Sequence, residues 1–163
     1  MKKFELTTDT KMFLGRKLFR IKALISFGNV RAGDMGGYIE KEENLSQSGN
    51  AWVFGDAKVS GDAKVFGNAE VFGNAEVFGN AEVFGNARVF GNAEVFGDAR
   101  VSGDAWVSGD AKVFGNARVF GNADYATASG FGSEYRTTTF FKLKNSDEIG
   151  VRCGCFLRNT ERI

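Results

Sequence analysis

From Gly49 to Phe120 this chain repeats one six-residue unit, Gly-(Asn/Asp)-Ala-x-Val-(Phe/Ser), twelve times without an inserted residue. A period held that strictly means that each unit is stabilised by its neighbours, so the segment builds a repeat architecture rather than a globule around one centre. Within a unit Ala and Val lie two apart, which in extended backbone puts both side chains on one face and the x and Phe/Ser side chains on the other. Helix is excluded, because its apolar positions would recur three and four apart and because one Gly and one Asn or Asp fall in every six residues. The Gly-Asn and Gly-Asp pairs read as corners, since Gly takes positive φ freely and Asn and Asp visit the left-handed region more readily than other residues. Strands and corners in alternation make a coil.

With Val at every sixth position and Ala two places before it, the repeat resembles the hexapeptide-repeat family. That resemblance implies an all-β fold, a left-handed parallel β-helix of triangular section with three hexapeptides per turn, an exception to the right-handed crossover rule. The twelve units then form four turns of 18 residues, and Ile39 and Leu45 are expected at the Ala position of two degenerate units ahead of them. About five turns at ~4.8 Å give a rod roughly 25 Å long. The wider chain is also similar to a group of bacterial and prophage hexapeptide-repeat proteins. In that group a segment like Leu18-Phe19-Arg20-Ile21-Lys22-Ala23-Leu24 precedes one like Gly36-Gly37-Tyr38-Ile39-Glu40-Lys41-Glu42-Glu43-Asn44-Leu45-Ser46.

Three parts are expected: an N-terminal capping segment over residues 1–36, the β-helix over 37–126 with its perfect hexads at 49–120, and a C-terminal β-hairpin cap over 127–163. Caps are required because the open ends of a coil carry unpaired N–H and C=O groups that would template aggregation. In the first cap, Lys3-Phe4-Glu5-Leu6 and Leu18-Phe19-Arg20-Ile21 read as short strands separated by Thr/Asp/Gly turns. In the second, Thr137 to Phe141 and Ile149 to Phe156 read as strands around a Lys144-Asn145-Ser146-Asp147 turn.

Because every third unit stacks on the same face, the outward columns follow from the numbering. The x columns run Trp52, Glu70, Arg88, Trp106; Lys58, Glu76, Glu94, Lys112; and Lys64, Glu82, Arg100, Arg118. Opposite charges mostly adjoin and favour this register, while Glu76 beside Glu94 and Arg100 beside Arg118 oppose it. The other outward columns run Phe54, Phe72, Phe90, Ser108; Ser60, Phe78, Phe96, Phe114; and Phe66, Phe84, Ser102, Phe120. Rings stacked at strand spacing stabilise one another, by ~0.5–1.5 kcal/mol per contact. Stripes of them on a surface also mark self-association or a partner. The nine phenylalanines are therefore the candidate partner-binding residues, together with Trp52 and Trp106, which read either as anchors or as residues packed beneath the caps.

Lysine plus arginine (21) nearly balances aspartate plus glutamate (20), with no basic stretch, so neither nucleic acid nor an anionic membrane is an expected partner. No apolar run is long enough to cross a bilayer and Met1-Lys2-Lys3-Phe4-Glu5 opens no secretion signal, so a cytoplasmic location is expected. Cys153 and Cys155 are too close to staple a fold and too few for a metal site; they read as reduced thiols.

Hexapeptide-repeat acyltransferases use a histidine base and the carbonic anhydrases of this fold hold zinc with histidines; this chain has no histidine. It also lacks the insertions that would build a cleft between hexads, so no catalytic residue, cofactor or metal is expected. Asp56, Asp62, Asp98, Asp104 and Asp110 read as turn residues rather than cation ligands. The flat threonine face of an ice-binding rod is missing, as is a phosphate-binding Gly-x-x-x-x-Gly-Lys-(Ser/Thr) loop. The expected role is a non-catalytic structural or protein-binding solenoid whose aromatic edges serve homo-oligomerisation or docking of a host protein. The alternative, prompted by the prophage likeness, is a phage-derived inhibitor that binds a host protein or sequesters a small signalling ligand.

Overall fold

The computed structural model describes residues 1–121 and the strands Tyr125–Phe131, Arg136–Lys142, Ile149–Cys153 and Phe156–Asn159; beyond residue 121 the side chains described are those of Thr139 and Val151. The x and Val residues of each hexad form a two-residue strand, and the strands stack in parallel on three faces. The first face stacks Trp52–Val53, Glu70–Val71, Arg88–Val89 and Trp106–Val107; the second, Lys58–Val59, Glu76–Val77, Glu94–Val95 and Lys112–Val113; the third, Lys64–Val65, Glu82–Val83, Arg100–Val101 and Arg118–Val119. All three x columns are thus as the 18-residue turn dictates. The result is a parallel β-solenoid of about five turns.

Each Ala and Val of the perfect hexads is buried, so the interior is a column of methyl groups running the length of the rod. That column is narrow because Ala turns the corner where Val fills the flat of the face. The corner glycines adopt positive φ, and they approach one another closely: a Cβ on Gly85 would lie 2.9 Å from the Gly103 nitrogen. Only Gly fits there, for reasons of both φ and space. Beside it runs a ladder of corner amides, in which Asn50 donates to Asn68, Asn68 to Asn86, and Asn86 to Asp104, at 3.0–3.1 Å. Asn92 and Asn80 likewise donate to Asp110 and Asp98. Asp ends these ladders because a carboxylate can only accept.

Two degenerate hexads do precede Gly49, but their phase differs from the sequence expectation. Ile39 pairs with Val59 and Leu45 with Val65, so both occupy the Val position, not the Ala position. The physical reason is two extra residues in the Ser46–Ser48 corner, which restore the phase only at Gly49. Ser46 and Ser48 share a hydroxyl hydrogen bond of 3.0 Å across that corner.

The N-terminal strands are longer than expected. β1 (Phe4–Phe13) and β2 (Arg16–Ala23) pair antiparallel around Leu14 and Gly15, whose φ values of 48° and 73° make a tight hairpin turn. The expected Thr/Asp turn at Thr7-Thr8-Asp9 is an irregularity inside β1, between Leu6 and Thr10. β2 continues onto β3 (Met35–Ile39), and β3 onto Lys58–Val59, so the hairpin extends the second face into a seven-stranded sheet.

Side chains complete the cap by standing in for a missing turn. Within the coil, Gly79 and Ala81 carbonyls accept from Asp62 and Lys64 N–H groups one turn earlier. The equivalent carbonyls of the first perfect turn, Gly61 and Ala63, accept instead from the Asn44 amide at 3.0 and 2.9 Å. At the first face the Lys3 ammonium donates to the Ala51 carbonyl at 2.9 Å and lies 4.9 Å from the Phe27 ring centre. The Glu40 carboxylate accepts from the Gly61 N–H at 2.6 Å. Burial works against its charge, yet that bond and Arg16 outweigh it and hold its pKa below the usual glutamate range.

At the other end the strands Arg136–Lys142 and Ile149–Cys153, which contain the expected Thr137–Phe141 and the first part of the expected Ile149–Phe156, pair antiparallel. They are the inner pair of a four-stranded sheet, flanked by Tyr125–Phe131 and Phe156–Asn159, so the expected single strand from Ile149 to Phe156 is two strands with Cys153 opposite Phe156. Thr139 docks this sheet on the coil by accepting the Lys112 N–H at 3.2 Å. The expected turn at Lys144–Asp147 and Cys155 lie outside the described residues.

Candidate partner-binding surface

In the nine hexads that close with phenylalanine, that residue follows the two-residue strand and its ring projects along an edge of the rod. On the first face Phe72 and Phe90 stack with centroids 4.8 Å apart and planes 1° from parallel. On the third Phe66 and Phe84 do the same at 4.8 Å, and on the second Phe78, Phe96 and Phe114 form a continuous stack at 4.9 and 5.2 Å. The spacing is that of the strands, so the backbone register itself fixes the stack. Each ring covers a face of its neighbour, which leaves these residues half-buried rather than fully open to water. Phe54 packs against the core, and Phe120 is the most open of the nine, 70% exposed.

The two tryptophans part company. Trp52 is buried, with Phe4 and Phe27 against it edge-on at 6.1 and 5.3 Å, so it is a core residue beneath the cap and no surface anchor. Trp106 is 47% exposed; it meets Phe90 edge-on at 6.3 Å and carries the Arg88 guanidinium over its ring. Ser60, which interrupts a phenylalanine column, is buried near the hairpin tip, and Phe13 of the tip sits edge-on against Phe78, one turn on from Ser60, at 6.2 Å.

Between the aromatic columns run charges that are mutually satisfied. Arg88 pairs with Glu70 at 3.0 Å, Arg100 with Glu82 at 2.9 Å, Lys58 with Glu76 at 3.1 Å and Lys112 with Glu94 at 2.7 Å. Glu76 beside Glu94 is tolerated because each has its own lysine on the far side. The corner carboxylates Asp56 and Asp62 bond to Lys11 and Lys41 of the cap, and these bonds lower both carboxyl pKa values. Among the described residues, no three His, Cys, Asp or Glu side chains converge as metal ligands would, and no helix is long and apolar enough to cross a membrane. A groove of about 310 Å³ lies between the hairpin tip and a corner, lined by Leu14, Arg16, Ser60, Asp62, Phe78 and Asn80 among others. Its charged members are already engaged, Arg16 by Glu40 and Asp62 by Lys41.

Three stacked parallel faces, with a buried Ala/Val column and an aromatic edge on each, define the class: a β-solenoid of hexapeptide repeats. Residues 93–109 match the family model described as YdcK Beta solenoid repeat. That match and the five-turn coil fit a hexapeptide-repeat β-helix family. No curated protein matches the chain.

Proposed function

We propose that this chain is a non-catalytic scaffold whose stacked aromatic edges mediate self-association or the docking of a protein partner. The observation that carries the reading is that the interior is complete without the rings: Ala and Val fill it along the whole coil, and the phenylalanines form columns outside it. Apolar stripes of that kind on a rigid surface suit association with another protein. The lack of histidine and of any insertion between hexads supports a role without catalysis.

The hexad accepts Ser in place of Phe at positions 60, 102 and 108, so Phe→Ser variants stay within the pattern this fold already carries. Sedimentation across a concentration series, with binding of an apolar dye, tests the reading. The wild type is expected to associate or bind dye, and Phe72→Ser/Phe90→Ser to do less of both with its circular dichroism unchanged. A strict monomer that binds no dye overturns the proposal.

A further inference from the structure

The first face carries a pattern that is complementary to itself. Its x column reads Trp52, Glu70, Arg88, Trp106 and the adjacent edge reads Phe54, Phe72, Phe90, Ser108. Consider a second copy turned end over end about an axis in the plane of this face, perpendicular to the rod and midway between the second and third perfect turns. Glu70 then faces the second copy's Arg88, Arg88 its Glu70, and the Phe72–Phe90 stack its own counterpart. Both central rungs join opposite charges, and ring meets ring beside them. The same operation sets Lys58 against Lys112 and Glu76 against Glu94 on the second face; on the third it joins Glu82 to Arg100 but sets Lys64 against Arg118 and Phe84 against Ser102. A parallel arrangement on the first face would set Glu70 against Glu70.

We propose that the first face is an isologous interface with a second copy of this chain, lying antiparallel, with Glu70 and Arg88 at its centre. This rests on the reading that the aromatic edges mediate association, and it names the partner and the face. Isologous contact requires a surface complementary to itself under two-fold rotation; this column sets no like charges together, whereas the second does so at every rung and the third at its outer rungs. Within one chain Glu70 and Arg88 are paired at 3.0 Å, so two copies bring together four charges of alternating sign, with each carboxylate between two guanidinium groups. The flat Phe72–Phe90 stack beside them supplies a desolvated apolar strip, and charge pairing fixes its register. At the outer rungs Trp106 comes opposite the cap over Trp52, where Phe27 is half-buried.

Two charge-changing variants test it. Arg88→Glu makes the pair wholly acidic and Glu70→Arg makes it wholly basic, and by symmetry each substitution acts twice per dimer. Sedimentation equilibrium should show the wild type as a dimer and each variant alone weakened at least about tenfold, because like charges now face one another. Mixed in equal amounts, the two variants should restore a dimer that native mass spectrometry identifies as one copy of each. That recovery has no explanation within a single chain. Melting curves check that both variants fold; should either fail, Arg88→Gln and Glu70→Gln replace them, each expected to weaken dimerisation. If the wild type associates and the variants associate equally well, or if mixing restores nothing, this interface is wrong while the aromatic reading stands. A wild type that is monomeric throughout overturns this interface, and overturns the aromatic reading with it if it also binds no apolar dye.

Discussion

Replacing corner glycines by alanine separates two costs that the repeat superimposes. Gly55, Gly85 and Gly109 all have positive φ, at +59°, +70° and +65°, so an alanine at any of them meets the same left-handed penalty of ~1–2 kcal/mol. Their surroundings differ. A Cβ at Gly85 would lie 2.9 Å from the Gly103 nitrogen and 3.2 Å from its oxygen, whereas at Gly55 the nearest atom is 3.9 Å away and at Gly109 nothing lies within 4 Å. Relief at Gly85 by movement away from Gly103 is resisted, because the Gly85 carbonyl already accepts the Asn68 N–H of the preceding turn at 2.8 Å. The turn spacing must therefore open on one side or the other, and overpacking of that sort costs a further ~1–3 kcal/mol. Gly85→Ala should lose about 2–5 kcal/mol in all, against about 1–2 for Gly55→Ala and Gly109→Ala. Guanidinium unfolding followed by circular dichroism measures the three losses. The two controls sit toward opposite ends of the coil, so fraying at one end cannot produce the difference. Equal losses at all three positions would refute the claim that stacked corners exclude a methyl group.

Two further predictions follow from buried groups. Val83→Asp places a carboxylate between Val65 and Val101 where no partner can reach it, and should abolish the cooperative unfolding transition; an unchanged melting curve would mean that the inward face is misassigned. Burial of Lys3 lowers its pKa from the ordinary 10.5 to about 8, so between those values the unfolded chain holds more protons than the folded one and stability rises with pH. Relative to Lys3→Met, the wild type should gain about 2–3 kcal/mol from pH 7 to pH 10.5, measured by denaturant unfolding at each pH, and lose that gain as pH falls through 8; parallel profiles for the two proteins would contradict the burial of a charged amine.

The coil was legible in the sequence because its period is strict and each position has one physical task. Ala and Val two apart set the inward face, Gly-Asn set the corners, and the numbering then gave every x and Phe column in its observed register. Legibility failed where the period failed. Ile39 and Leu45 look like Ala-position residues when counted back from Gly49, and only the pairing with Val59 and Val65 shows the two extra residues between Leu45 and Gly49. Trp52 and Trp106 occupy the same place in their hexads, so nothing local distinguishes a tryptophan under the cap from one on the surface. One signal was available for the cap: Ser60 breaks a phenylalanine column beside the hairpin tip. Lys3 and Asn44 as substitutes for backbone donors had no signature, since their partners lie 48 and 19 residues away in the chain.

That substitution bears on how such a chain can change in length. Every intact turn hands the next the same donors and acceptors, so Lys3, Glu40 and Asn44 at one extremity and Thr139 at the other have no means of registering how many turns separate them. Duplicating 18 residues would lengthen the rod by ~4.8 Å and leave both extremities engaged. Gaining six or twelve in mid-coil would also keep Lys112 with Thr139, but would turn everything downstream a third or two thirds of the way round and move each x residue onto another column, separating pairs such as Glu70 and Arg88. Only changes in multiples of three hexads should keep every column in its present pairing.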